Sequence, residues 1–352
     1  MAPALPAPEA SLLARGCVIP AHPLALTVDR RLDERRQRAL TRYYAAAGAG
    51  GVAIGVHTTQ FAIRSAGLLQ PVLELAAETV AEAAADRPFL RIAGAVGDVQ
   101  QAVREAELAA GLGYHAVLLG PAVSGELDEQ DLLLRAKAVG EVLPVFGFYL
   151  QQAVGGRYLS RAFWRDLADL PCVVAAKIAP FDRYRTLEAV RGIAEADRGS
   201  EVALYTGNDD TIVTDLLAPV SAEVGGQMVQ RRIVGGLLGQ WAVWTRHAVR
   251  MLDRVRSAWD GDDAELRALL AESSRVTEAN AAVFDAANGF AGCIAGVHEV
   301  LRRQGLLEGT WCLDPHERLS PGQAAEIARV CAAYPELTDD EFVAAHLDEW
   351  LR

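Results

Sequence analysis

The sequence predicts an α/β protein, a (β/α)8 TIM barrel with a C-terminal helical extension. Two observations carry that prediction. Eight short apolar runs of strand length alternate with segments of helical periodicity, the cadence of strand–helix repeats whose strands are buried on both faces. From about Gln240 onward the pattern is helical only. A third observation weighs against the main rival, a doubly wound open sheet: no Gly-x-Gly-x-x-Gly follows the first strand.

Taken in order, the first run is Cys17–Ala21, ending at His22-Pro23, with a helix over 32–47 marked by Leu32, Leu40, Tyr43 and Tyr44. The second is Gly51–Val56, ending in His57-Thr58-Thr59-Gln60, followed by a helix over 73–85. The third is Leu90–Val96, after which Asp98 reads as the N-cap of a helix over 99–110. The fourth is His115–Pro121, with a helix over 129–139. The fifth is Pro144–Tyr149, with a helix over 161–168. The sixth is Pro171–Pro180 and the seventh Val202–Gly207, separated by a helix over 186–195. The eighth is Arg232–Gly236. Helices are then expected over 241–257, 263–284, 292–303, 321–333 and 339–351. Trp241 and Trp244 are read as one packed helix face. The expected organisation is a loose N-terminal arm over 1–14, the barrel over 15–258 and the helical extension over 259–352.

Composition bounds the function. A net charge of −12 argues against a nucleic-acid or anionic-membrane partner. No apolar stretch reaches the roughly eighteen residues of a membrane span, and the N-terminus lacks the basic region and apolar core of a signal peptide. The five cysteines are odd in number and scattered, which reads as free thiols in a cytoplasmic protein. His22 and His57 form no His-x-His pair and no other metal constellation appears, so no metal is expected.

The chemistry points to Lys177. The chain has only two lysines, Lys137 and Lys177. Lys137 sits in a helical pattern where it can face solvent, whereas Lys177 closes a buried strand. Arginine stays protonated and forms no imine; a desolvated lysine sheds its proton and becomes a nucleophile. In this fold chemistry sits where strands end, which singles out His22, His57, Thr58, Thr59, Tyr149, Lys177, Gly207, Asn208 and Asp209. Tyr149 and Lys177 end neighbouring strands, so their side chains are expected to meet in one pocket, where a phenol can shuttle protons for imine formation. Thr58 and Thr59 offer hydroxyls to a substrate carboxylate. Asp209 is read as a cap for the helix that follows.

This order of features, over roughly residues 15–325, resembles the dihydrodipicolinate synthase / N-acetylneuraminate lyase family of class I aldolases. His22-Pro23 stands where the family commonly has Thr-Pro. Gly55–Thr59 lies at its Gly-Thr-Thr-Gly-Glu, with either Val56 and His57 or Thr58 and Thr59 at the paired threonines. Tyr149 falls at the tyrosine of Tyr-Asn-x-Pro, Lys177 at the Schiff-base lysine, and Thr206–Asp209 at the turn after strand seven. The departures are Leu150, Gln152 and Val154, where the motif's Asn, its Pro and a carboxylate-binding arginine are lost, and they argue against lysine biosynthesis.

The resemblance implies Lys177 and Tyr149 as catalytic residues. It implies His57, Thr58, Thr59, Gly207 and Asn208 as substrate-binding residues, no cofactor, and a homo-oligomer. The expected reaction is C–C bond formation or cleavage on a 2-oxo acid such as pyruvate, with an aldehyde as the second small-molecule partner. The alternatives are a Schiff-base dehydratase or decarboxylase of a sugar acid or related oxo acid, and a non-catalytic ligand-binding barrel.

Overall fold

The structure, a computed structural model, describes residues 3–120 and 127–352. Pro121, expected to end the fourth run, lies outside the described residues, as do Met1 and Ala2 of the arm. Helix α1 (Ala7–Arg15) precedes strand β1 (Val18–Pro20). There follow α2 (Glu34–Ala47), β2 (Gly51–Ile54), α3 (Leu69–Ala83), β3 (Leu90–Ala95), α4 (Val99–Gly111), β4 (Ala116–Leu119) and α5 (Glu129–Gly140). Next come β5 (Val145–Leu150), α6 (Arg161–Ala168), β6 (Val173–Ala179), α7 (Arg183–Glu195), β7 (Ala203–Thr206) and α8 (Ile212–Leu217). A hairpin of β8 (Val220–Val224) and β9 (Gln227–Arg231) leads to β10 (Gly235–Leu238). The remainder is helical: α9 (Thr245–Trp259), α10 (Asp263–Val283), α11 (Cys293–Arg303), α12 (Gln323–Ala333) and α13 (Asp340–Trp350). Eight strands form one sheet in the order β1-β10-β7-β6-β5-β4-β3-β2, the strand set of a (β/α)8 barrel.

The chain packs as two compact units. One unit comprises residues 1–17 and 90–237. Its central strands are parallel neighbours, from β3 through β7 to β10. The starts of α4, α5, α6 and α7 are each held by a side chain that accepts an otherwise orphaned backbone N–H: Asp98 from Gln101, Asp128 from Asp131, Ser160 from Phe163 and Asp182 from Arg185. The expected loose arm carries α1 instead. Leu13 is buried, and its carbonyl accepts a hydrogen bond from the Tyr205 hydroxyl at 2.9 Å.

The hairpin β8–β9 was not anticipated. Its sequence signal is Gly225-Gly226 between alternating residues. Val224 pairs with Gln227, leaving a two-residue loop, and both glycines take positive φ (58° and 81°) as a tight hairpin turn requires. Asp209 is not the cap of α8, since the N-cap position is Thr211.

The other unit comprises residues 18–89 and 238–352, so the C-terminal helices pack with the first two strands. Asp339, just before α13, is buried and joins three elements. Its carboxylate accepts from Tyr43 Oη at 2.7 Å, from Arg246 N at 3.1 Å and from Gln304 Nε2 at 2.9 Å. Trp241 and Trp244 do not share a helix face. Trp241 lies in a 3-10 turn, and Trp244 has φ 53° at the residue before α9 begins.

Candidate active site

Lys177 sits near the C-terminal end of β6, where the apolar run Val173–Ala179 places it among buried neighbours. Its register neighbours are Phe148 on β5 and Tyr205 on β7, and Tyr205 in turn pairs with Gly235 on β10. Paired residues on parallel strands direct their side chains to the same face. The Lys177 amine accordingly lies 4.4 Å from the centroid of the Phe148 ring. No hydrogen bond or close ion pair joins that amine to another described residue. Burial lowers its pKa from 10.5 to about 8, and the negative charge of Asp209 opposes that shift. A substantial fraction of the amine is therefore neutral and nucleophilic near neutral pH.

Tyr149 does not meet Lys177. Its register partner is Ile178, and its side chain leaves the opposite face of the sheet. The ring packs on Trp164 of α6 with centroids 5.3 Å apart, and the hydroxyl accepts a weak hydrogen bond from Leu159 N at 3.4 Å. Burial raises its pKa. The expected pairing of phenol and amine is thus corrected, and an aromatic ring without a hydroxyl, Phe148, occupies the place beside the lysine.

The cause is a register irregularity. Val145 pairs with Val173, and unbroken counting from there would set Tyr149 against Lys177. The register shifts at once, so that Phe146 pairs with Ala175 and Phe148 with Lys177. One extra residue on β6 exchanges which neighbour of β5 faces the amine.

Gly207, at the end of β7, packs on the lysine stem. A Cβ there would lie 2.4 Å from Lys177 Cε and 2.7 Å from Ala179 Cβ, so only glycine leaves room for the lysine in this position. Its N–H donates to Ile178 O at 2.8 Å, which ties the ends of β6 and β7 together.

Asn208 was expected to bind substrate, but its side chain is engaged in the protein. Nδ2 donates to Thr186 Oγ1 at 3.1 Å and to Asp215 Oδ2 at 2.9 Å, while Oδ1 accepts from Phe181 N at 3.0 Å. Asp215 is fully buried, accepts from Thr206 Oγ1 at 2.7 Å, and pairs with Arg183. Burial raises the Asp215 pKa, and these donors oppose the rise. This network fixes the turn after β7 and leaves Asn208 a structural residue.

His57, Thr58 and Thr59 belong to the other unit, in a 3-10 turn after β2. Thr59 is buried and committed: its hydroxyl donates to His22 O at 2.7 Å and accepts from Gly55 N at 3.0 Å. It clamps the end of β1 to the end of β2. Thr58 is buried, and the His57 ring meets Phe61 edge-on at 5.8 Å. His22 is a core histidine. Its Nε2 lies 2.9 Å from Thr41 Oγ1, its Nδ1 2.8 Å from Pro23 O, and burial lowers its pKa to about 4, so it is neutral at physiological pH.

Among the described residues, no group of three or more His, Cys, Asp or Glu side chains is arranged to hold a metal ion. No helix among them is long and apolar enough to cross a membrane.

With this geometry in hand, the chain can be set beside known proteins. No protein-family model and no curated protein sequence matches it. Solved structures do. Dihydrodipicolinate synthase from Oceanobacillus iheyensis superposes with a TM-score of 0.72 at 17% identity, covering 93% of this chain and 99% of that one. YagE, a prophage protein of the dihydrodipicolinic acid synthase family from E. coli K12 in complex with pyruvate, gives 0.71 at 18% identity, covering 91% and 97%. N-acetylneuraminate lyase from Fusobacterium nucleatum complexed with pyruvate gives 0.71 at 13% identity, covering 92% and 98%. At such identities the likeness establishes the shared barrel fold along nearly the whole chain.

Proposed function

We propose that the protein is a Schiff-base lyase acting on a 2-oxo acid such as pyruvate, with Lys177 as the nucleophile. The observation that carries this reading is the buried Lys177 amine at the end of β6, held by no hydrogen bond to another described residue and lowered to a pKa of about 8 by burial. Two structural neighbours carry pyruvate, which supports a 2-oxo acid as the carbonyl partner. The amine attacks the keto carbon, water leaves, and the protonated imine accepts the electron pair of a bond to the adjacent carbon. Thr59, Asn208 and Gly207 are better explained by structural roles.

The test is intact-protein mass after incubation with pyruvate and borohydride, followed by peptide mapping. The expected result is a reduced pyruvyl adduct on Lys177 that Lys177→Ala does not form. Turnover retained in Lys177→Ala would sink the mechanism.

Phe148 favours one alternative. Aldol cleavage requires a base to take the proton of the substrate hydroxyl, whereas decarboxylation β to the imine carbon requires none. Carbon dioxide simply departs, leaving its bonding electrons to the imine. An aromatic neighbour also desolvates the departing carboxylate. A decarboxylase releases carbon dioxide from the oxo acid and an aldolase releases pyruvate and an aldehyde, so product analysis separates the two.

A further inference from the structure

Imine formation begins and ends with a positive charge on one atom. An ammonium and a ketone become a protonated imine and water, and the nitrogen that carried the charge at the start carries it at the end. Inside a barrel such a cation is costly unless something supports it. With no hydrogen bond or close ion pair to another described residue, the Lys177 nitrogen has the Phe148 ring, 4.4 Å away at its centroid.

We infer that Phe148 is a catalytic residue, its ring face holding the positive charge of the Lys177 nitrogen from ammonium to protonated imine. The inference rests on the Schiff-base reading above. The separation is well inside the roughly 6 Å over which an aromatic face attracts a cation. Both partners are fixed in place. The ring is set by the register that pairs Phe148 with Lys177 and sends both side chains to one face. Two residues earlier on that face, the buried Phe146 ring meets Tyr205 edge-on at 5.3 Å, and Tyr205 is the lysine's register neighbour on the other side. The nitrogen is set by Gly207, whose missing Cβ makes room for the lysine stem. A neutral ring also suits an oxo acid. A carboxylate in its place would lock the ammonium in an ion pair and repel the carboxylate of the substrate; the ring supports the charge and does neither.

The step balances. The ammonium releases one proton to solvent, and the freed lone pair adds to the keto carbon. A proton moves from nitrogen to the oxyanion to give the neutral carbinolamine. Solvent returns a proton to the carbinolamine hydroxyl, the C–O bond breaks as water leaves, and the nitrogen lone pair becomes the second C–N bond. The ring attracts the ammonium and the protonated imine but gains little from the neutral amine. Weakening it should therefore leave the exchange of ammonium for imine almost unchanged, and disfavour the imine wherever the amine starts neutral.

The experiment replaces Phe148 with monofluoro- and trifluorophenylalanine, which withdraw charge from the ring face in steps while keeping its shape close to native, and compares them with Phe148→Leu, which removes the face. It measures the pH midpoint of Lys177 labelling by an acylating reagent. It also measures the concentration of pyruvate, or of whichever acid in a panel of 2-oxo acids forms the adduct, that gives half-maximal borohydride trapping well above and well below that midpoint. Thermal melting confirms that each variant is folded, and the fluorinated rings keep the test valid if Phe148→Leu is not. The midpoint should fall stepwise with fluorination, by about 0.4–1.5 pH units for the trifluoro ring. The half-maximal concentration should rise about 2- to 30-fold above the midpoint and by less than about twofold below it, a split that a merely structural role would not produce. A midpoint unmoved by the trifluoro ring, or an equal rise on both sides of it, overturns the inference while leaving the Schiff-base reading intact. A native protein that forms no adduct with any acid of the panel overturns the Schiff-base reading itself, and the role of Phe148 with it.

Discussion

Two buried charged groups, Lys177 near the end of β6 and Asp215 on α8 after β7, have opposite surroundings. Asp215, beyond β7, accepts hydrogen bonds from Thr206 and Asn208 and pairs with Arg183. Lys177, on β6, has an aromatic face and the field of Asp209 but no hydrogen-bond partner among the described residues. A buried polar group that is fully partnered is locked in one state and stabilises the structure around it. A buried amine left without partners lies near the balance between its charged and neutral forms, at a cost in stability that a functional site can bear. The contrast fits Asp215 as scaffold and supports the proposal of Lys177 as the nucleophile.

The comparison can be broken or sharpened by substitution. Gly207→Ala should have the largest effect on reactivity, because its Cβ would fall 2.4 Å from Lys177 Cε and force the amine out of place. A displacement of that order typically costs about 100-fold, so trapping of Lys177 by pyruvate and borohydride should slow by that much while the fold persists. Trapping at the native rate would mean the stem is not held by this turn. Asp215→Ala should act on stability instead. It leaves the Thr206 hydroxyl, the Asn208 amide and the Arg183 guanidinium without their common acceptor, a loss of about 2–4 kcal/mol in denaturant unfolding. A loss below about 0.5 kcal/mol would show that water replaces the carboxylate at little cost.

The pH dependence follows from the Lys177 shift. Its pKa is about 8 when folded against 10.5 for an ordinary lysine. The neutral fraction, and with it the rate of adduct formation at fixed oxo acid, should rise with pH and level off above about 8. Between these two values the unfolded chain binds more protons than the folded one, so this group makes stability rise with pH across that window. A trapping rate that is flat through pH 8 would contradict the assignment of the amine as nucleophile. The smallest effect is expected from Tyr149→Phe. The ring keeps its packing on Trp164 and loses the long hydrogen bond from Leu159 N, worth about 0.5–1.5 kcal/mol. Trapping should stay within about twofold of native, and a fall of 100-fold would return Tyr149 to the site.

Much of this was legible in the chain itself. The apolar runs and helical periods mark strands and helices because burial on two faces, or along one stripe, leaves that pattern in any sequence. Asp98 announced the start of α4 by its capping chemistry. Lys177 stood out because a lysine at the end of a buried strand, in a chain that elsewhere relies on arginine, has a chemical reason to be there. The hairpin β8–β9 went unread, although its glycine pair and alternating flanks are a hairpin signal.

What only the tertiary structure decided is which residue faces which. Phe148 and Tyr149 are adjacent in sequence and equally placed at the end of β5, so composition and spacing cannot choose between them. Strand side chains alternate, and the choice rests on the register between β5 and β6, which a single shift after Val145 resets. The same holds for Asn208 and Thr59, polar residues at strand ends whose hydrogen-bond capacity is taken up by Thr186, Asp215 and Phe181 in one case and by His22 and Gly55 in the other. The sequence by itself determined the fold and singled out the amine proposed as nucleophile, because hydrophobic period and residue chemistry are local properties. The neighbours of that amine belonged to the tertiary structure, because register and hydrogen-bond partnership join residues far apart in the chain.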